Sequence, residues 1–279
     1  MKKLLFLLCL LVANIITFAQ DYSRSRVQLS INGGLSFPVG KFGETSNDYW
    51  CAPFNIFGGA DELETGYGAA KMGYNASLKL HIPVYEDNSD NIIGIITKFN
   101  FLYNGITDKE KRDFRNKLEY MSDLLNEQYN VNAYYYKVGQ YSSYRNFSLM
   151  VGGDYTHYFS QPFAFFAEAS IGVNLVSISD TKINNLYGGT FVYSEGYTNY
   201  YSEDGTDIKY KDKINFVYEV GAGLFLFDHV SLGVFYTGFT PFQVEAEMKA
   251  NSNYGSESTD IISEKLKISV LSLQLGIHF

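Results

Sequence analysis

Residues 265–279 read KLKISVLSLQLGIHF, and the chain stops on the aromatic. Leu271, Leu273, Leu275, Ile277 and Phe279 fall on one face at a period of two, while Ser272, Gln274, Gly276 and His278 fall on the other. This is the alternation of a β-strand with one apolar face. A last strand whose terminal residue still obeys the pattern reads as the closing strand of a transmembrane β-barrel. In lipid an open sheet edge leaves backbone groups unsatisfied at several kcal/mol each, so the final strand has to pair with the first.

Seven more stretches carry the same alternation, over residues 27–37, 69–82, 92–103, 144–159, 163–178, 214–227 and 230–239. In the cleanest of them Ala70, Met72, Tyr74, Ala76, Leu78, Leu80 and Ile82 alternate with Lys71, Gly73, Asn75, Ser77, Lys79 and His81. Most match the ~9–11 residues that cross a bilayer at a tilt. The connections alternate short and long. Residues 83–91, 160–162 and 228–229 are short; residues 38–68, 104–143, 179–213 and 240–264 are long. Short turns on one side and long loops on the other is the outer-membrane arrangement, with both termini in the periplasm. The expected fold is therefore all-β: an eight-stranded antiparallel transmembrane barrel with long extracellular loops. A soluble barrel of lipocalin type would turn its apolar face inward and would not need this regular alternation.

The other end of the chain agrees. Lys2 and Lys3 precede an apolar run over residues 4–16, and Thr17-Phe18-Ala19 offers small residues at the −3 and −1 positions of a cleavage site. Residues 1–19 read as a secretory signal peptide and residues 20–279 as one barrel domain. Losing both leader lysines leaves 20 basic against 30 acidic residues, a balance of −10. An acidic balance argues against a nucleic-acid partner. The 24 Tyr and 22 Phe are high counts against a single Trp, Trp50. Past the leader there remains one cysteine, Cys51, so no internal disulfide is expected.

With the leader ending at Ala19, the aromatic strand from Leu271 to Phe279 and the run GGLSFPVGKF from Gly33 to Phe42 on the page, the chain resembles the small eight-stranded outer-membrane barrels of the OmpA/OmpX and PorT-like families. The resemblance spans the whole mature chain and is architectural. It implies a monomeric barrel in outer-membrane lipid, inserted by the barrel-assembly machinery. The PorT-like members imply a link to secretion and gliding machinery.

Polar faces of the predicted strands carry Lys71, Lys79 and Lys98 on the second and third, and Asp154, Glu168 and Glu219 on the fourth, fifth and sixth. Eight strands leave an interior just wide enough for side chains, so these six charges are expected to pair into a network that plugs the barrel. A gated ion path and a small polar ligand among the charges are the alternatives. His81, His157, His229 and His278 all fall near the short-turn rim, and His157 beside Ser160 lacks an evident third member of a triad. Asp204, Asp207 and Asp212 lack the spacing of a calcium loop. The expectation is a non-enzymatic protein with no cofactor and no metal; a lipid-modifying enzyme is the weakest reading.

Function then falls to the loops. Phe114, Leu118, Met121 and Leu125 recur at i, i+4, i+7 and i+11 within residues 107–129, an amphipathic helix with Thr107 as N-cap and Glu110 as the third residue of a capping box. Its apolar stripe folds over the barrel mouth, or meets a membrane surface or an envelope protein partner. Tyr187, Tyr193, Tyr197, Tyr200, Tyr201 and Tyr210 mark the third loop, where residues 189–196 suggest a hairpin continuing the wall. Exposed Tyr there suits contact with protein or glycan as well as loop packing. The fourth loop reads as a plain hairpin end around residues 251–256.

Overall fold

A strand that alternates strictly has to keep one row of side chains on each side of the sheet, and a one-residue slip would invert every residue. That constraint holds around the whole ring. The structure, a computed structural model, describes residues 27–45, 66–87, 90–129, 134–160, 163–193, 196–226, 229–252 and 255–279. Side chains are described for all of these but 125, 128–129, 134–136, 185–193, 196–204, 250–252, 255–257 and 261–264. In chain order the elements are β1 (Gln28–Pro38), β2 (Gly73–Glu86), β3 (Asn91–Gly105), helix α1 (Asp108–Tyr129), β4 (Tyr134–Gln140), β5 (Ser143–Ser160), β6 (Phe163–Ile178), β7 (Thr181–Tyr193), β8 (Gly196–Tyr210), β9 (Lys213–Leu226), β10 (Val230–Phe239), β11 (Phe242–Ser252), β12 (Gly255–Leu266) and β13 (Ser269–His278).

Eight of them close a barrel in the order β1-β13-β10-β9-β6-β5-β3-β2, every pair antiparallel. The seam is the pairing of the first strand with the last, from Ser30 opposite His278 to Pro38 opposite Val270. Phe279 adds a reciprocal pair of backbone hydrogen bonds with Leu29, at 2.9 and 3.2 Å. The outward row is apolar: Ile31, Leu78, Ile95, Leu149, Ile171, Val220, Val234 and Leu273 are all exposed, one from each wall strand. The inward row is polar over the middle of the barrel, with Asn32, Ser77, Lys79, Lys98, Asn100, Ser148, Glu168, Asn174, Glu219 and Gln274 buried. An exterior of this kind is matched to hydrocarbon and not to water, and the fold class is a transmembrane β-barrel.

Three of the expected long loops are largely strand. The second sheet has the order β12-β11-β8-β7-β4, and each of its strands continues a neighbour in the barrel: β4 into β5, β6 into β7, β8 into β9, β10 into β11, β12 into β13. The breaks are two residues each, and all carry polar groups: Tyr141-Ser142, Ser179-Asp180, Lys211-Asp212, Thr240-Pro241 and Lys267-Ile268. Above the breaks the outer face turns charged, with Lys211 bonded to Asp260 at 3.1 Å and Lys213 to Glu245 at 2.6 Å. The wall thus leaves the apolar belt at these joints and rises as a five-stranded crown. The hairpin expected near residue 193 is present, from Thr181 opposite Ile208 to Tyr193 opposite Gly196. The fourth loop is a hairpin that closes where expected, and it is long: β11 and β12 pair from Phe242–Leu266 to Ser252–Gly255. Residues 194–195 and 253–254, Cys51, Trp50 and the expected signal peptide, residues 1–19, lie outside the described residues.

Close backbone approach inside the ring requires glycine at Gly34 on the seam strand. A Cβ there would sit 1.8 Å from the Leu273 carbonyl oxygen, whereas at Gly33, on the outward row, its first neighbour is 3.8 Å away. Gly34→Ala is expected to lower folding stability by about 1–3 kcal/mol through forced backbone displacement, while Gly33→Ala leaves it near wild type. Urea midpoints of the two variants in detergent micelles check this; equal midpoints would contradict the tight seam.

Candidate functional site

Register decides how the interior charges meet. Lys79 on β2 lies directly opposite Lys98 on β3, and Asp154 on β5 directly opposite Glu168 on β6. Each wall therefore sets like charges side by side, an arrangement that destabilises an isolated antiparallel pair. Relief comes only across the lumen. Lys79 Nζ donates to Glu168 Oε2 at 2.8 Å, Lys98 Nζ donates to Glu168 Oε1 at 3.0 Å, and Lys98 Nζ also donates to Glu219 Oε1. Glu219 Oε2 accepts from Thr237 Oγ1 at 2.7 Å and from Asn100 Nδ2 at 3.4 Å. Lys98 further stands 4.2 Å from the centre of the Phe235 ring, and Lys79 5.4 Å from that of Phe166. Two ammonium groups and two carboxylates, all buried, are braced by hydrogen bonds and aromatic faces. That is the condition under which a buried ion pair survives its desolvation cost.

Two of the six expected members stand elsewhere. Lys71 is a correction: it lies two residues before β2 begins at Gly73, beyond the buried layers, although its N–H still donates to Gly105 O at 2.8 Å. Lys71 is left exposed on the rim, 3.4 Å from Asp108 at the start of α1. Asp154 meets no lysine. Its Oδ2 lies 2.9 Å from the Nδ1 of half-buried His81, a His–carboxylate pair one layer nearer the short turns. His81 sits in the inward parity of β2, and that parity was the signal in the sequence. What the parity could not give was which wall it would face.

The remaining histidines keep to the same end. His278 Nε2 is 2.7 Å from Ser231 Oγ, and its ring packs edge-on against Phe225 at 4.7 Å. His157 Nδ1 meets Asn91 Oδ1 at 2.8 Å rather than Ser160, and its ring contacts Phe159. The His229 carbonyl oxygen accepts the His278 backbone N–H at the β9–β10 turn. Asp207 and Asp212 lie on the crown and at a joint, while the Asp204 side chain is outside the described residues. Among the described residues no three His, Cys, Asp or Glu side chains are grouped to hold a metal ion.

Apolar layers cover the charged one from both sides. Toward the short turns lie Ile92, Tyr158, Ala164, Phe166, Phe225 and Phe235. Toward the crown a larger cluster joins Leu102, Tyr144, Val176, Val217, Phe239 and Val270 of the barrel to Ile183, Ile208 and Val244 of the crown's inner face. The helix completes it. Phe114 and Leu118 are buried in this cluster, Met121 is half-buried, and the Leu125 side chain lies outside the described residues. Tyr141, in the joint between β4 and β5, fixes the helix: its hydroxyl donates to Lys111 O at 3.1 Å and its ring meets Phe114 edge-on at 6.5 Å. Thr107 Oγ1 caps by accepting the Glu110 N–H at 3.3 Å. The reciprocal half of the expected box is taken by another partner, since the Thr107 N–H donates to Ala69 O at 2.8 Å.

No known protein family matches the sequence, and no curated protein does. Among solved structures the chain is similar to the attachment invasion locus protein Ail of Yersinia pestis, with 10% identity over 91% of this chain and 99% of that one and a TM-score of 0.36. A major outer membrane protein from Thermus thermophilus gives 10% identity over 91% and 99%, with a TM-score of 0.40. OprG from Pseudomonas aeruginosa gives 10% over 91% and 97%, with a TM-score of 0.36. Likenesses this distant carry no argument about ligand or partner.

Lys98 is the one cation shared by both carboxylates, so its loss strands Glu219. Lys98→Met is expected to cost about 3–5 kcal/mol, and Lys79→Met less, because Glu168 keeps Lys98. The double variant Lys98→Met with Glu219→Leu recovers part of the loss. Urea unfolding of wild type, Lys98→Met, Lys79→Met, Glu219→Leu and the double variant in one detergent checks the order; a double variant as unstable as the Lys98→Met and Glu219→Leu losses combined would contradict the brace.

Proposed function

We propose that this chain is a non-enzymatic outer-membrane barrel whose job is structural or interactive, performed by the crown on the extracellular side while both termini stay periplasmic. The observation that carries the reading is the inverted polarity of a closed ring, apolar outward and polar inward. Such a surface is stable only with acyl chains around it. Lipid is thus its first partner, and the barrel-assembly machinery is the one it needs to reach the membrane. A monomer suffices, since the ring closes on itself. An envelope protein met through the crown, with association to secretion machinery of the PorT-like kind, is the role that the rigid wall of β4, β7, β8, β11 and β12 best serves.

Transport is the second reading, and one observation favours it. Asn75 Oδ1, Asn100 Oδ1, Ser272 Oγ and both amide atoms of Gln274 are buried without a hydrogen-bond partner among the described residues. Orphaned polar groups in such a place call for water. The charged brace and the apolar layers above and below it argue that any such water is sealed in.

Planar-bilayer recording of the refolded protein is expected to show no steady conductance, and Lys98→Met to lose stability without opening. Large constant currents from wild type, or new ones from the variant, would make the gated path the better account.

A further inference from the structure

One sector of the belt is unlike the rest. On the outward face of β2, β3 and β5, at the crown end, four aromatic rings touch in series. Tyr74 stacks on Tyr103 with centres 4.9 Å apart, Tyr74 lies 6.1 Å from Phe101, and Phe101 lies 5.0 Å from Phe147. Tyr74 and Phe147 are exposed, as is Met72 beside them. Directly above stands Arg145, exposed, two residues beyond Phe147 and in register with Tyr103. The acid at this rim, Asp108, is taken by Lys71 at 3.4 Å and Lys111 at 3.8 Å. No carboxylate among the described residues pairs with Arg145. Among the described residues no strand of the crown rises over β1, β2 or β3.

Resting on the membrane reading above, we propose that this ledge seats the phosphate headgroup of an anionic lipid in the leaflet at the crown end. The chemistry follows from the order of groups along the wall. Leu78, Phe99 and Leu149 lie below the rings and offer a face to acyl chains. Aromatic rings favour the boundary where chain gives way to headgroup. Arg145 then meets the level of the phosphate with a planar fork of donors that matches two phosphate oxygens, which an ammonium group could not do as well. Elsewhere on the same rim Lys211 and Lys213 are spent on Asp260 and Glu245, so among the described residues only this sector keeps an unspent guanidinium over a continuous aromatic surface.

The test uses the full chain in nanodiscs of phosphatidylcholine doped with phosphatidylglycerol, followed by native mass spectrometry of the released barrel. Wild type is expected to retain phosphatidylglycerol in preference to phosphatidylcholine. Arg145→Gln is expected to lose about tenfold in that retention, the loss of a charge-assisted hydrogen bond. Lys137→Gln, on the exposed crown strand β4, is expected to lose nothing. Equal retention by wild type and Arg145→Gln would overturn the proposal, as would displacement of the lipid by millimolar inorganic phosphate. Wild type that inserts into no nanodisc would instead overturn the membrane reading itself, and the two failures are told apart by whether the barrel is found in the disc at all.

Discussion

Every other feature of this molecule depends on one set of hydrogen bonds, those between the first strand and the last. Seven antiparallel pairings generate a curved sheet with two bare edges; the eighth, between β1 and β13, removes both. In water bare edges would be tolerable, because solvent satisfies them. Surrounded by hydrocarbon they are not, and the cost of each orphaned amide or carbonyl makes closure obligatory. The outward apolar row and the closed ladder are thus two halves of one condition, and neither would be stable without the other.

Closure also resolves a conflict that the register creates. Paired as they are, Lys79 with Lys98 and Asp154 with Glu168, the two hairpins carry opposite charges of the same magnitude. As flat sheets each would repel itself. Curved into a ring they face one another, and the lysines of one wall reach Glu168 across the lumen while His81 meets Asp154. The brace holds walls that are not neighbours in the ladder, so it resists ovalisation of the ring in a way backbone bonds do not. The same groups, with the apolar layers below and above them, fill the lumen.

Outside the belt the crown preserves the barrel's neighbour order while changing what each face sees. Its inner face stays apolar and needs a cover, and α1 provides it through Phe114 and Leu118. Its outer face is charged because it stands in water. A wall extended in this way gives a partner a rigid edge rather than a set of free loops, which is why the proposed interaction role is placed there.

How much of this was legible in the chain follows from the range of the physics involved. Alternation at period two is a local property, so residues 265–279 announced the closing strand, its lipid-facing row and the ring it had to close. Thr107 and the spacing of Phe114 and Leu118 likewise announced the helix. Strand ends were less secure: Lys71 continues the alternation perfectly, yet it stands at the rim, exposed and paired with Asp108, because no periodicity reports how far along the barrel axis a residue lies. Two hairpin tips of the crown were legible, but its full extent was not, because its strands carry charges on the outer face and therefore lack the apolar row that marks a membrane strand. That the interior charges would pair was legible, and Lys79, Lys98, Glu168 and Glu219 do; which charge meets which was not. Parity tells which side chains point inward, but whether Asp154 meets a lysine or His81 depends on the tilt and stagger of eight strands at once, a quantity that exists only after the ring has closed.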